Sequence, residues 1–126
     1  MDEEFLRDLF RSLPAISIRR LFGGQGIYSD GRIVAIVIRG NLYLKSDPES
    51  EASYAGAGLE RWTYARAGKA PVSMPYWRFP EDGYDDPDEA ERWIAVADQA
   101  ARRVDMAEAG KRVAASKRGR AGRKAT

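Results

Sequence analysis

The sequence predicts a two-layer α+β domain, an antiparallel sheet of about five or six strands with helices packed on it. Three observations predict it. Short segments rich in β-branched and aromatic residues outnumber the amphipathic helical ones. Tight-turn signals separate the first strands, so these form a meander, and two later strands make a hairpin. The order reads α-β-β-β-β-α-β-β-α, in which hairpins outnumber the βαβ crossovers a parallel sheet would need.

Residues 2–12 read as the first helix. Phe5, Leu6, Leu9, Phe10 and Leu13 recur at helical spacing and make one apolar stripe. Asp2, Glu3 and Glu4 sit where the helix dipole favours negative charge, and Pro14 stops the helix. Strands follow at 17–22, 26–29 and 32–38. Asp30-Gly31 between the last two suits a two-residue turn in which both residues take positive φ. Arg39-Gly40-Asn41 is a further turn, and 42–45 returns as a fourth strand. Asp47-Pro48 reads as the start of a second helix, with Asp47 as N-cap and Pro48 in the first turn; Gly56 and Gly58 end it.

Residues 61–66 and 72–79 are two aromatic-rich strands. Pro75 cannot donate a ladder hydrogen bond, so its strand lies at an edge or carries a bulge there. Asp86-Pro87-Asp88-Glu89 is a strong helix start, and that helix runs to about Ala107. Trp93, Val96 or Ala97, Ala100 and Val104 form its buried stripe. Beyond Gly110 no apolar stripe continues. The organisation is therefore an α+β domain at 1–108 and a basic, irregular tail at 109–126.

With 126 residues the chain buries roughly two-thirds of its unfolded surface and folds without staples. It has no cysteine and no histidine. Disulfides, thiolate nucleophiles, Cys/His zinc sites and Ser-His-Asp triads are thereby excluded. No catalytic residue, metal or cofactor is indicated. The start is acidic and amphipathic without an apolar signal core, and the longest apolar run, 33–38, is far too short to span a bilayer. Cytoplasmic residence without membrane contact is the expectation.

The net charge of +2 conceals a division. Residues 111–126 contain Lys111, Arg112, Lys117, Arg118, Arg120, Arg123 and Lys124 and no acid. Subtracting these seven from 21 bases leaves 14 against 19 acids in 1–110. An acidic body with a basic tail suits nonspecific phosphate contact by the tail.

Arg20 to Gly26 is the most unusual local sequence. No helix follows the glycines and no Gly-Lys-Ser/Thr is present, so neither a dinucleotide fingerprint nor a Walker loop fits. A bulge or tight connection with close backbone approach does. The acidic run 81–89 departs from EF-hand spacing, and helix capping accounts for Asp86, Asp88 and Glu89. Trp62, Tyr64, Tyr76, Trp77, Phe79 and Trp93 lack the interleaved Lys and Arg of a nucleic-acid groove, which favours core and sheet-face packing. Alternation sets Tyr76 and Arg78 on one face and Trp77 and Phe79 on the other.

Arg19-Arg20-Leu21-Phe22-Gly23-Gly24-Gln25-Gly26-Ile27-Tyr28, the Asp30-Gly31 turn and Leu42-Tyr43-Leu44-Lys45 together resemble the N-terminal domain of the TfoX/Sxy family. The segment 72–80 is similar to that family's later Met-x-Tyr-aromatic strand, and Trp93 with its alanine-rich helix to the closing helix. The likeness covers residues 1–104. Pro75 departs from it, standing where a small polar residue is usual. Longer members carry a C-terminal helical domain where this sequence has the basic tail.

The resemblance implies a bacterial, cytoplasmic, non-enzymatic adaptor linked to transcription regulation of competence genes. It implies a protein partner in the transcription machinery, and a fold like secretion chaperones, many of which pair as homodimers. It brings no catalytic or cofactor-binding residues. The residues that carry it, Arg19, Arg20, Phe22, Gly23, Gly24, Gly26 and Tyr28, form the candidate partner or ligand surface. The tail bases form the candidate DNA contact. The alternative is a small-molecule or peptide-binding module built on the Arg20–Tyr28 glycine-rich segment. The third reading is a carboxylate-only enzyme using Asp85 and Asp88 with Mg²⁺.

Overall fold

The structure, a computed structural model, describes residues 1–21 and 23–125, with side chains up to Ala115. The elements are α1 (Glu3–Leu9), β1 (Ile16–Leu21), β2 (Gly24–Ser29), β3 (Arg32–Ile38), β4 (Asn41–Lys45), α2 (Glu51–Gly56), β5 (Arg61–Tyr64), β6 (Val72–Arg78), a 3₁₀ turn (Glu81–Tyr84) and α3 (Pro87–Ala125). The six strands form one antiparallel sheet in the order β1-β2-β3-β4-β6-β5. The α+β architecture and element order match the sequence reading, with the 3₁₀ turn added.

Two hairpins owe their geometry to short-range chemistry. Asp30 and Gly31 have φ of 49° and 77°, and Arg39 and Gly40 have 50° and 77°. Successive positive φ values give the turn whose twist matches the flanking strands. α1 begins where Asp2 accepts a hydrogen bond from the Phe5 amide at 3.1 Å, and α3 where Asp86 accepts from Asp88 at 3.1 Å.

The core lies between the sheet and the helices. Leu6 and Phe10 of α1 and Trp93, Ile94, Ala97 and Ala101 of α3 pack on Ile27, Ala35, Leu44 and Trp77. These sheet residues form a row across the strands, Ile27 opposite Ala35, Ala35 opposite Leu44, Leu44 opposite Trp77. Ala97 occupies the stripe position, while Val96 is only partly buried. Tyr54 of α2 is fully buried between Trp77 and Trp93, with ring centroids 5.8 and 5.5 Å away. Its hydroxyl donates to the Lys45 carbonyl at 2.8 Å, which satisfies the one polar atom of a buried ring.

Two expectations need correction, and the alternatives left for Pro75 are decided. Asp47 does cap a turn, accepting from the Ser50 amide at 3.1 Å, but α2 itself starts at Glu51 and not at Pro48. Ser50 and Asp47 satisfy each other reciprocally, the Asp47 amide donating to Ser50 Oγ at 2.9 Å, so the polar groups are consumed in the turn. Pro75 is not on an edge strand, because β6 lies between β4 and β5; the register shifts between Arg61 and Thr63 of its neighbour, so the bulge accommodates it. Finally, α3 passes both Ala107 and Gly110 and continues to Ala125, so 109–125 is helical rather than irregular. Ala, Lys, Arg and Glu are good helix formers, and one Gly costs only about 1 kcal/mol.

Candidate functional site

The face of the sheet turned away from the helices is the site. Strand alternation sends Asn41, Tyr43 and Lys45 of β4 and Tyr76 and Arg78 of β6 there, opposite in register to the core row. Arg19 pairs with Gly26, Gly26 with Ile36, Ile36 with Tyr43, and Tyr43 with Arg78. Gly26 leaves room on its own strand, and the Tyr28 ring lies within 2.9 Å of where a Cβ would stand.

Rings and cations interlock on this face. Tyr43 and Trp62 have centroids 6.1 Å apart, and Trp62 meets Tyr76 edge-on at 6.4 Å. The Arg19 guanidinium stands 4.8 Å from the Tyr28 centroid, and Lys45 Nζ 5.0 Å from that of Tyr76. Arg78 Nη2 donates to Asn41 Oδ1 at 2.8 Å. Burial pushes the Tyr76 phenol up to about 12, with Tyr28 adding to the shift. Burial lowers the Lys45 ammonium, and Glu108 and Asp47 work against that fall.

A groove of about 920 Å³ opens at one end of this face. Tyr43, Trp62, Tyr64 and Met74 supply its apolar wall, and Arg39, Asn41, Glu60 and Arg61 its polar groups. Tyr64 is 52% exposed. Arg61 is held in place, its Nε donating to the Met74 carbonyl at 2.9 Å and its Nη2 pairing with Glu51 at 3.1 Å. The first bond joins β5 to β6 at the irregular register and the second ties β5 to α2.

The glycine segment serves this face as framework. Gly23 takes φ of 77° after β1 and lines the groove. At Gly24 a Cβ would lie 1.8 Å from the Val37 carbonyl oxygen, so only glycine permits β2 to approach β3 there. Arg19 and Tyr28 meet on the outer face, whereas Arg20, one residue on, points to the opposite side of edge strand β1. Phe22 lies outside the described residues. The structure therefore joins Arg19, Gly26 and Tyr28, gives Gly23 and Gly24 backbone roles, and separates Arg20.

The sequence reading placed Tyr43 in the family motif, assigned Trp62 to packing, set Arg78 beside Tyr76 on one strand face and gave Asn41 only a turn, without joining the four in one site. The available signal was the period-two alternation of β4, but recognising a site needed the pairing of β4 with β6 across residues far apart in the chain.

The helical layer has the opposite character. Asp8 of α1 and Asp85 and Glu91 around the start of α3 border a small cleft of about 120 Å³ that also includes Arg11. Among the described residues, no group of three or more acids, His or Cys is placed to hold a metal ion. Lys111 and Arg112 are exposed on α3; the side chains of Lys117, Arg118, Arg120, Arg123 and Lys124 lie outside the described residues. Among the described residues no helix is long and apolar enough to cross a membrane.

Where α3 leaves the sheet, Arg103 binds Asp47 and also reaches Glu49 at 3.0 Å. The bond from Arg103 holds the Asp47 carboxyl at about 2, below the usual range, with Ser50 assisting and burial opposing.

Comparison with protein families finds that the model of the TfoX N-terminal domain matches residues 8–101. The match spans α1 through the packed part of α3. No curated protein matches the sequence.

Proposed function

The chain belongs to the TfoX N-terminal domain family, and from that membership we propose that it is a non-enzymatic, cytoplasmic adaptor in transcription regulation. Its acidic helical layer binds a protein partner of the transcription machinery, and the basic end of α3 adds nonspecific contact with duplex DNA. The observation that carries this reading is the opposite charge at the two ends of one helix. α3 starts with Asp88, Glu89 and Glu91 beside the acidic turn at Glu81 and Asp82, and ends in the seven bases of 111–126 with no acid. They offer charge without base-reading geometry, which makes their contact sequence-independent.

The test is fluorescence anisotropy on duplex DNA across a salt series. The full chain is compared with a variant in which Lys117, Arg118, Arg120, Arg123 and Lys124 are all replaced by Gln. Each phosphate contact contributes about −0.9 to the slope of log K against log salt, so the variant's slope should flatten by up to about 4.5. Equal binding and equal slopes would refute the role of the helix end. Crosslinking that recovers no transcription component would refute the partner.

A further inference from the structure

The strands carry Arg19, Arg20, Arg32, Lys45, Arg61 and Arg78 and, among the described residues, no Asp or Glu. Yet acids exceed bases, 19 to 14, over residues 1–110. The strands thus hold cations alone, whereas the helices hold both signs, Arg7, Arg92, Arg102 and Arg103 standing among their acids. Leu6, Tyr54, Trp93, Ile94 and Ala97 of the helices join the core cluster with Ile27, Ala35, Leu44 and Trp77, whose side chains alternate with those of the outer face. Its rings and cations alternate in space although they do not in sequence.

We infer that this outer face, with the groove at its β5 end, binds single-stranded nucleic acid. Bases stack on Tyr43, Trp62 and Tyr64, and phosphates meet Arg39, Arg78 and Lys45. Unpaired bases expose both flat faces and tolerate any aromatic platform. A duplex hides those faces and would use the cations alone. An acidic peptide would likewise leave exposed rings such as Tyr64 unmatched. The groove, about 920 Å³, is at the top of the range for a small-ligand pocket, room enough for more than one base. Glu60 is the carboxylate among its lining residues, against two guanidinium groups, Arg39 and Arg61. The inference does not rest on the basic end of α3.

The experiment titrates the full chain into a fluorescein-labelled oligothymidylate of about twelve residues, within the usual site size for such a platform. Trp62→Ala and Tyr64→Ala should each weaken binding by at least about fivefold, and Trp62→Phe by less. The five-Gln variant of α3 should keep this aromatic dependence, so loss of duplex binding and loss of single-strand binding are read separately. Tyr64 is half exposed, so Tyr64→Ala remains informative if Trp62→Ala fails to fold. Absence of binding at low salt, indifference to both aromatic substitutions, or equal competition by duplex would overturn the inference. So would an acidic peptide that quenches Trp62 fluorescence where the oligonucleotide does not. A dimer in solution that Tyr64→Ala dissociates would assign the face to a second copy and overturn it as well.

Discussion

Arg103 of α3 grips Asp47, at the end of β4, with both ends of its guanidinium. Nη2 donates to Oδ1 at 3.0 Å and Nε to Oδ2 at 2.5 Å. The side chain of Asp47 is 7% exposed and that of Arg103 is 34% exposed. A paired carboxylate in this setting needs its cation, because its removal leaves a poorly solvated charge. The pair ties α3 to the segment that follows β4.

Arg103→Ala is expected to destabilise the fold by about 1–2 kcal/mol at neutral pH, a range already reduced for the solvent at Arg103. The sign of the pH effect follows from Asp47. Its folded value, about 2, lies below its ordinary 3.8. The contribution is therefore present above about pH 4 and is lost as pH falls toward about 2. Urea unfolding of both proteins should show a gap at pH 7 that closes in acid; a pH-independent gap would refute the linkage.

Tyr54→Phe should cost about 1 kcal/mol, since it removes the bond to the Lys45 carbonyl and keeps the stack between Trp77 and Trp93. Tyr54→Ala removes the ring from a fully buried site and should cost about 3–5 kcal/mol. Urea midpoints measure both, and equal losses would contradict the division between hydroxyl and ring.

In alkali the buried phenols act the other way. Burial raises both Tyr54 and Tyr76, the latter to about 12. A raised value stabilises below the unfolded value of about 10 and is lost as pH climbs through the folded one. Phenolate absorbance should show Tyr76→Phe removing a group that titrates near 12, with unfolding beginning above about pH 10.

Gly24→Ala should be more damaging than Gly31→Ala. At Gly24 the new methyl would stand 1.8 Å from the Val37 carbonyl oxygen, and β2 would have to move from β3. Gly31 has open space and only its φ of 77° opposes a side chain, a penalty of about 1–2 kcal/mol. Thermal denaturation orders the two, and a milder Gly24→Ala would contradict the close approach.

Gly110→Pro should interrupt α3 without touching the core, because nothing lies within 4 Å of Gly110. Far-ultraviolet circular dichroism should lose helix while the melting temperature holds. A large fall in melting temperature would mean that the outer helix packs on the body.

Local chemistry made much of the fold legible. The turns at Asp30-Gly31 and Arg39-Gly40 and the cap at Asp86 involve neighbours in the chain and were readable as such, whereas Asp2 was read only as a favourable charge and not as the cap it is. The end of α3 was not, because the missing apolar stripe says where packing stops and not where helix stops. The α2 boundary was missed because Asp47 and Ser50 bond each other before the helix begins.

The candidate site was legible only in pieces. Arg19, Gly26 and Tyr28 stood out within one segment, but Tyr43, Trp62 and Arg78 come from three other strands. In sequence the aromatic run at 62–79 looked too poor in cations for a nucleic-acid surface. The sheet supplies them, setting Lys45 over Tyr76 and Arg78 opposite Tyr43.

The sequence by itself determined the element types, the turns, the charge division between 1–110 and the tail, and the exclusion of thiol and imidazole chemistry. Only the tertiary structure decided that β6 enters between β4 and β5 and that rings and cations share one face. The physical reason is range. A turn or cap is an interaction between residues a few positions apart, whereas register across a sheet is set by the burial of the whole opposite face.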